Sequence, residues 1–294
     1  MTDFHIISDH SAWLPAFEER ERSPLRRAGL REEAVTTRVE RTLKAAAEAT
    51  VAEITEAGEV LGYVAVRLEP QASGNPTGQI FEVWVRPGAE GHRPAAREWA
   101  ERWCVEQGVS RIRVRTSSAD ELYAHWAVGG QTRLRRADRT PEHLTARPLT
   151  EAEYGEWLAI EKAGYVANMV DTGTWTEAEA RSKSDQDFAE LLPEGLATAG
   201  HTLLMLLAEG EPVGSAWLHH GHLPGVTYGY SLHVQPEFRG KGYGRDAMAV
   251  GEQATRAGGD EMMMFNVFGA NTVAISLYES AGYTVLDEVR SFEL

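Results

Sequence analysis

The chain is written twice. Residues 81–103, FEVWVRPGAEGHRPAAREWAERW, align with residues 230–252, YSLHVQPEFRGKGYGRDAMAVGE, at an offset of 149 that sets Val85 on Val234, Pro87 on Pro236 and Gly91 on Gly240. Upstream, EVLGYVAVRL (59–68) matches EPVGSAWLHH (211–220); downstream, YAHWAVGGQT (123–132) matches SLYESAGYTV (276–285) once the two are slid by one residue, which sets Gly130 opposite Gly282. A sequence that repeats at domain scale folds as two units of one topology. Each copy reads as helices, strands, a loop-to-helix crossover, then strand, helix and final strand. The expectation is an α/β protein of the mixed-sheet, α+β kind, with tandem domains at residues 1–146 and 147–294 that meet near residues 139–147. Its 294 residues suit two such cores.

Local signals agree with that plan. Thr150 with Glu153, and Thr176 with Glu179, have capping-box spacing, so helices should start at Glu151 and Glu177. Pro193, Glu194 and Gly195 stop the second. HTLLMLLAE followed by GEPVGSAWLH reads as a hairpin turning at Gly210. VTYGYSLHV alternates like a half-buried strand, and MMMFNVF like a buried one. His219, His220 and His222 are placed at the entry to a Pro/Gly turn spanning residues 219–225, where their spacing does not suit a metal.

The stretch VQPEFRGKGYGRDAM, residues 234–248, joins a strand end to a helix start through Gly240, Gly242 and Gly244. A glycine-rich turn that opens into a helix presents free N–H groups at the positive end of the helix dipole, which suits a diphosphate. The three glycines would supply positive φ and close backbone approach, and Arg239, Lys241 and Arg245 would add charge. Lys241 is followed by glycine rather than Ser or Thr, which excludes a Walker A loop. Ala247, three beyond Gly244, excludes a dinucleotide fingerprint.

Charge narrows the partners. The net charge is -15; residues 1–146 carry -2 and residues 147–294 carry -13. An acidic chain excludes nucleic acid and an anionic membrane, which are held by basic patches. Arg239, Lys241 and Arg245 are nonetheless three of the nine bases in the second half. The pattern points to one anionic ligand beside a cationic one. Cys104 is the single cysteine, so no intrachain disulfide and no cysteine metal cluster can form, and it is expected as a packed thiol. No signal peptide is apparent, nor any apolar run near ~20 residues, so a cytoplasmic location is expected.

The order Arg239-Gly240-Lys241-Gly242-Tyr243-Gly244, R-x-x-G-x-G after a V-x-P strand end, resembles the acetyl-CoA loop of the GCN5-related N-acetyltransferases. NTVAISLYESAGYTV, with Asn271, Leu277-Tyr278-Glu279 and Gly282-Tyr283, is similar to that family's second signature. The resemblance implies that backbone groups of Leu232, His233 and Val234 pair with the pantetheine arm where two strands splay apart. It implies that the N–H groups of Arg239, Gly240, Lys241, Gly242, Tyr243, Gly244 and Arg245 hold the pyrophosphate. Asn271 would position the cosubstrate, acetyl-CoA, and Tyr278 falls where the family has its general acid. No metal is implied.

Base positions in such proteins fall on Tyr228 and Tyr230, neither a good base at neutral pH. Strict alternation puts both on the face of Leu232 and Val234, and His233 on the other. The two tyrosines are therefore expected to order water toward a more distant base (His219, His220 or Glu161) or to shape the acceptor pocket. That pocket would use residues 162–175 and 219–225, with Tyr165, Trp175 and Trp217 as candidate walls.

In the first copy Arg93, Pro94 and Ala95 replace Gly242, Tyr243 and Gly244; Trp126 stands at the Tyr278 position, and Ala119 lies nearest to that of Asn271. Side chains block backbone approach and proline removes a donor. The first copy is read as degenerate, against the alternative of a second site built on Arg86 and Arg93. A tandem with one competent half is similar to the mycothiol synthase branch of the family. The resemblance implies acetyl transfer to a primary amine by direct attack in a ternary complex. The acceptor would be a small, cationic molecule, and the protein a monomer or homodimer. A protein N-terminus or lysine as acceptor, or a regulatory acyl-CoA-binding module without turnover, are the alternatives.

Overall fold

A computed structural model describes residues 2–70, 76–171, 176–269 and 271–294. The first copy supplies β1 (Asp3–Ile7), α1 (Leu14–Arg27), α2 (Glu32–Ala46), β2 (Thr50–Glu56), β3 (Glu59–Glu69), β4 (Thr77–Val85), α3 (Arg93–Glu106), β5 (Arg111–Thr116) and β6 (Ala127–Arg136). The second supplies β7 (Leu144–Pro148), α4 (Glu151–Asp171), α5 (Glu177–Leu191), β8 (His201–Ala208), β9 (Glu211–Leu223) and β10 (Val226–Val234). It continues with α6 (Tyr243–Ala257), β11 (Met262–Phe268), α7 (Thr272–Ser280) and β12 (Thr284–Glu293). The two element orders match except between the last two strands of each copy, where α7 has only a 3-10 turn, Glu121–Tyr123, as its counterpart.

Both copies turn their first long hairpin in the same way. β2–β3 and β8–β9 close over two residues, Ala57-Gly58 and Glu209-Gly210, all four at positive φ. That is the type I′ geometry whose twist matches the flanking strands. The predicted helix starts hold. Thr176 accepts from the Glu179 N–H and Glu179 returns to the Thr176 N–H, completing the box. Glu153 takes the Thr150 N–H and hydroxyl, and the Arg147 guanidinium beside it holds its carboxyl far below the usual carboxylate range.

Compact units do not follow the repeat boundary. One comprises residues 1–134, 266–275 and 284–294; the other comprises residues 135–265 and 276–283. In the first, the sheet runs β1-β2-β3-β4-β5-β12-β6. The chain's last strand pairs antiparallel with β5 on one side and β6 on the other, from Thr284↔Leu134 to Glu293↔Arg111. β4 and β5 run parallel, over Gly78–Ile80. One apolar cluster, including Ile54, Val64, Ile80, Ala100, Cys104 and Ile112, lies between strands and α3. Another, around Trp13, Phe17, Val51 and Phe81, lies under α1 and α2. Cys104 is buried in the α3 cluster as a packed thiol, its acidity suppressed by burial to a pKa of about 12.

In the second unit the strands follow the order β7-β8-β9-β10-β11. α6 packs Ala247, Met248 and Val250 against Leu206, Val213, Leu218 and Met263; α4 and α5 pack Trp157 and Phe188 against Leu203 and Trp217. Two buried carboxylates on α6 tie down the chain before and after β7's entry. Asp246 accepts the N–H groups of Glu142, His143 and Leu144. Glu252, fully buried, takes the Arg139 guanidinium at 2.6 and 2.9 Å, the Tyr283 hydroxyl at 2.8 Å and the N–H groups of Asp138 and Arg139. Removing one partner strands a buried charge. Glu252→Ala is therefore expected to destabilise the fold by about 3–5 kcal/mol, read as loss of denaturation midpoint at unchanged m-value.

Candidate functional site

β10 is the strand that builds the site. It pairs antiparallel with β9 along its length, out to Val234↔Gly214, but parallel with β11 only from Val226↔Met262 to Gly229↔Phe265. Beyond Gly229, among the described residues, β10 has no strand partner on the β11 side, so the segment from Tyr230 to His233 presents an open backbone edge, and the Val234 carbonyl at its end accepts from Arg239 Nε. A strand edge of this kind recruits an extended ligand.

A β-bulge sits at that point. Gly229 faces Leu218 while Ser231 faces Trp217, so Tyr230 is an extra residue. The bulge corrects the alternation expected from sequence. Tyr228 and Tyr230 do share a face, their rings 4.9 Å apart, and Tyr230 stacks on Trp217 at 4.4 Å, beneath α4 and α5. Leu232 and Val234 fall on the opposite face, against the α6 cluster. Ser231 and His233, by regular pairing after the bulge, return to the tyrosine face. His233 is thus not opposite the tyrosines.

At the end of β10 a 3-10 turn, Pro236–Phe238, leads into the glycine loop, which is exposed. Gly240 has φ +75° and Gly242 φ +86°, and a Cβ at either would meet open space. Gly242 is the N-cap of α6 in the left-handed region that other residues enter at a cost. Gly244 differs from the expectation of positive φ: it lies in the first helical turn, and a Cβ there would sit 3.1 Å from Leu277 of α7. Its requirement is packing. Among the described residues, the N–H groups of Gly240, Lys241, Gly242, Tyr243 and Gly244 find no acceptor in the chain; the next, Arg245, donates to the Gly242 carbonyl. Five consecutive free donors at a helix start form an anion cradle. Arg239, whose Nε donates to the Val234 carbonyl, Lys241, over the Phe238 ring, and Arg245 are exposed around it.

Tyr278 stands at the fork. Its ring packs 4.3 Å from Phe265, the residue at which β10–β11 pairing ends, and 6.4 Å from Tyr283. Leu277 beside it touches the first turn of α6. The loop, the open edge and Tyr278 therefore belong to one unit. Asn271 caps α7, its Oδ1 accepting from the Ala274 N–H at 3.1 Å. Trp175 lies outside the described residues, as do residues 172–174.

The histidines separate by face. His219, His220 and His222 are in strand, because β9 continues to Leu223 and turns only at Pro224 and Gly225. His220 is wired between Thr202 (2.9 Å) and Thr227 (3.0 Å), with Asp260 accepting from the Thr227 hydroxyl. Both ring nitrogens are engaged, which removes it as a base. His219 stacks on His201 at 4.3 Å, and burial lowers its pKa. His201 accepts the Trp217 indole N–H at 2.8 Å; burial, then His219 and His220, push its pKa down to about 4. His201 and Ser231 were not legible as site residues. His201 meets His219 only through a register shift in β8–β9 at Leu206/Leu207. Glu161 of α4 accepts the Ser231 hydroxyl at 3.0 Å, and burial raises its pKa. Trp217 and Tyr165 are core-packing residues of the same face; the Tyr165 hydroxyl donates to Asp187.

The first copy retains the bulge and the splay but not the cradle. Phe81 is bulged as Tyr230 is, and β4 leaves β5 after Ile80. Arg93, at the Gly242 position, turns its guanidinium onto Asp120 (2.7 and 3.1 Å) and its Nε onto the Val83 carbonyl, which occupies the Leu232 position on the strand. Trp126 is buried between Tyr123 and Phe292, and a single 3-10 turn, Glu121–Tyr123, stands in place of α7.

A model of the acetyltransferase (GNAT) family matches the chain twice, at residues 10–125 and 168–283. The uncharacterized N-acetyltransferase YycN of Bacillus subtilis (strain 168) is 36% identical over 152 residues, 50% of this chain and 96% of that protein. A mycothiol acetyltransferase of Thermobispora bispora is 29% identical over 238 residues, 74% of this chain and 75% of that one. Among solved structures, a GCN5-related N-acetyltransferase from Sphaerobacter thermophilus matches with a TM-score of 0.54 at 16% identity, covering 99% of this chain and 95% of its own, a likeness of fold.

Proposed function

The chain belongs to the acetyltransferase (GNAT) family, and from that premise we propose that its second copy transfers an acetyl group from acetyl-CoA to a primary amine. It is an acyltransferase of two tandem family domains. One observation carries the assignment to the second copy: five unspent backbone donors at the start of α6, beside a strand edge that leaves its neighbour at Gly229. The residues fit the cosubstrate. The amides of Gly240 through Gly244 would hold its pyrophosphate and the open β10 edge its pantetheine arm, with Arg239, Lys241 and Arg245 adding charge. An extended pantetheine on that edge runs toward Phe265 and Tyr278. A phenol there can protonate the departing thiolate, which makes Tyr278 the general acid.

The acceptor is read as a small cationic amine, favoured by the -13 charge of residues 147–294. Its pocket would lie on the α4–α5 face of β10, where Tyr228 and Tyr230 form an aromatic wall backed by the buried Trp217. Aromatic faces attract ammonium groups. The similarity to mycothiol acetyltransferases puts amino-sugar conjugates first among amines to test. For the first copy, Arg93 lying on the Val83 carbonyl supports a structural role without acetyl-CoA.

A panel of amino sugars, polyamines, amino acid amides and peptides, followed by release of free CoA, tests the assignment. Turnover with a small amine is expected. Tight acetyl-CoA binding without release on any amine would instead make the chain a CoA-responsive binding module.

A further inference from the structure

The amine must lose a proton before it attacks, and neither tyrosine at the positions the family resemblance points to can accept one at neutral pH. On the acceptor face of β10 the described titratable groups include His201 of β8, His219 and His222 of β9, Tyr228, Tyr230 and His233 of β10, and Tyr154 and Glu161 of α4; His222 packs its ring on Tyr228 at 4.8 Å. Where α4 meets α5 lie Tyr165, Asp187 and Lys183, joined to one another, and Lys162 with Asp185. Asp185 and Asp187, the α5 carboxylates at this junction, are each held by a lysine. His201 uses Nδ1 to accept from Trp217. Glu161 has no Lys or Arg nitrogen within ion-pair reach among the described residues, and the Ser231 hydroxyl is its hydrogen-bond donor. Ser231 is the first residue after the bulge, on the segment that has left β11.

We propose that Glu161, anchored by Ser231 at the fork of β10, is the general base that takes the proton from the acceptor ammonium. This rests on the reading of the second copy as an acetyl-CoA site. The carboxylate removes one proton from R–NH3+, and the freed lone pair attacks the thioester carbonyl carbon. The C–N bond forms, the C–S bond breaks, and the thiolate takes the Tyr278 proton. Of the two protons the ammonium loses in becoming an amide, one ends on sulfur through these side chains and one in solvent. A carboxylate in an apolar wall also binds the ammonium before reaction, which makes Glu161 the acceptor's electrostatic anchor. Because burial disfavours its ionised form while the Ser231 hydrogen bond favours it, the base works above its raised pKa.

The test is kcat/KM against pH on the full chain with an amine found active in the panel, repeated with a second amine of different pKa. Wild type is expected to show an acidic limb that does not move with the amine's pKa. Glu161→Gln is expected to lose that limb and about 10²–10³ in kcat/KM, with acetyl-CoA affinity unchanged. Ser231→Ala, which keeps the carboxylate, should shift the limb to higher pH. An unaltered rate and profile in Glu161→Gln, or an unmoved limb in Ser231→Ala, overturns the proposal. Wild-type turnover in the same experiment keeps that failure distinct from failure of the acetyltransferase reading.

Discussion

Replacing Gly240 and Gly242 together by alanine is expected to weaken acetyl-CoA binding by about 100-fold or more, equivalent to about 2.7 kcal/mol. Neither site is crowded: a Cβ at each would point into open space, so no packing is disturbed. The damage comes from the backbone. At φ +75° and +86° an alanine pays roughly 1–2 kcal/mol of left-handed strain. The loop relieves that strain by rotating its peptide units, which turns the N–H groups away from their common focus. Binding, which needs five donors aimed at one point, is lost before folding is. With both strains retained, about 2–4 kcal/mol together, the melting temperature should fall by roughly 4–16 °C at about 2–4 °C per kcal/mol, and by less as the loop relaxes. Isothermal titration of the double variant is the check. Affinity within about 3-fold of wild type would show that the diphosphate is held elsewhere.

The second large effect concerns Tyr278. Tyr278→Phe keeps the ring that packs on Phe265 and removes the phenol alone. If that phenol protonates the leaving thiolate, kcat should fall by about 10²–10³, within the usual range for a general acid. Acetyl-CoA affinity and thermal stability should not change, because the cradle and the packing are intact. A variant that turns over within about 3-fold of wild type would assign the proton to solvent. A loss in affinity without a loss in kcat would make Tyr278 a binding residue.

These predictions rest on parts of the molecule that differ in how far the sequence discloses them. The helix starts at Glu151 and Glu177 and the turn at Gly210 are local signals, and each holds; the glycine-rich stretch does lie between β10 and α6, with Gly240 and Gly242 but not Gly244 at positive φ. What escaped reading depends on pairing between distant segments. One bulged residue, Tyr230, reverses which side chains after it face α4, so strict alternation placed Leu232, Val234 and His233 on the wrong faces. A register shift in β8–β9 likewise hid the His201–His219 stack. β12 pairs with β5 and β6, which no local periodicity announces. The tendency of Gly and Pro to mark turns misled at residues 219–223: Gly221 is accommodated within the strand at φ +64°, and the reversal waits for Pro224 and Gly225. The Ser231–Glu161 contact joins a strand to a helix 70 positions away.

Arg93 supports the proposal that two copies of one fold carry one acetyl-CoA site. At Gly242 the backbone is left bare for a ligand; at Arg93 the same position carries a side chain that satisfies the strand carbonyl itself. A carbonyl already bonded, and an N–H removed by Pro94, leave little for a pantetheine or a phosphate to bind.

Whether the diphosphate sits on the α6 amides is decided by amide chemical-shift mapping of the full chain during titration with CoA. The N–H resonances of Gly240, Lys241, Gly242, Tyr243 and Gly244 are expected to move furthest, saturating at one equivalent, while those of Gly88, Gly91 and Arg93 stay in place. Large shifts at Gly88, Gly91 and Arg93, or none between Gly240 and Gly244, would contradict that placement.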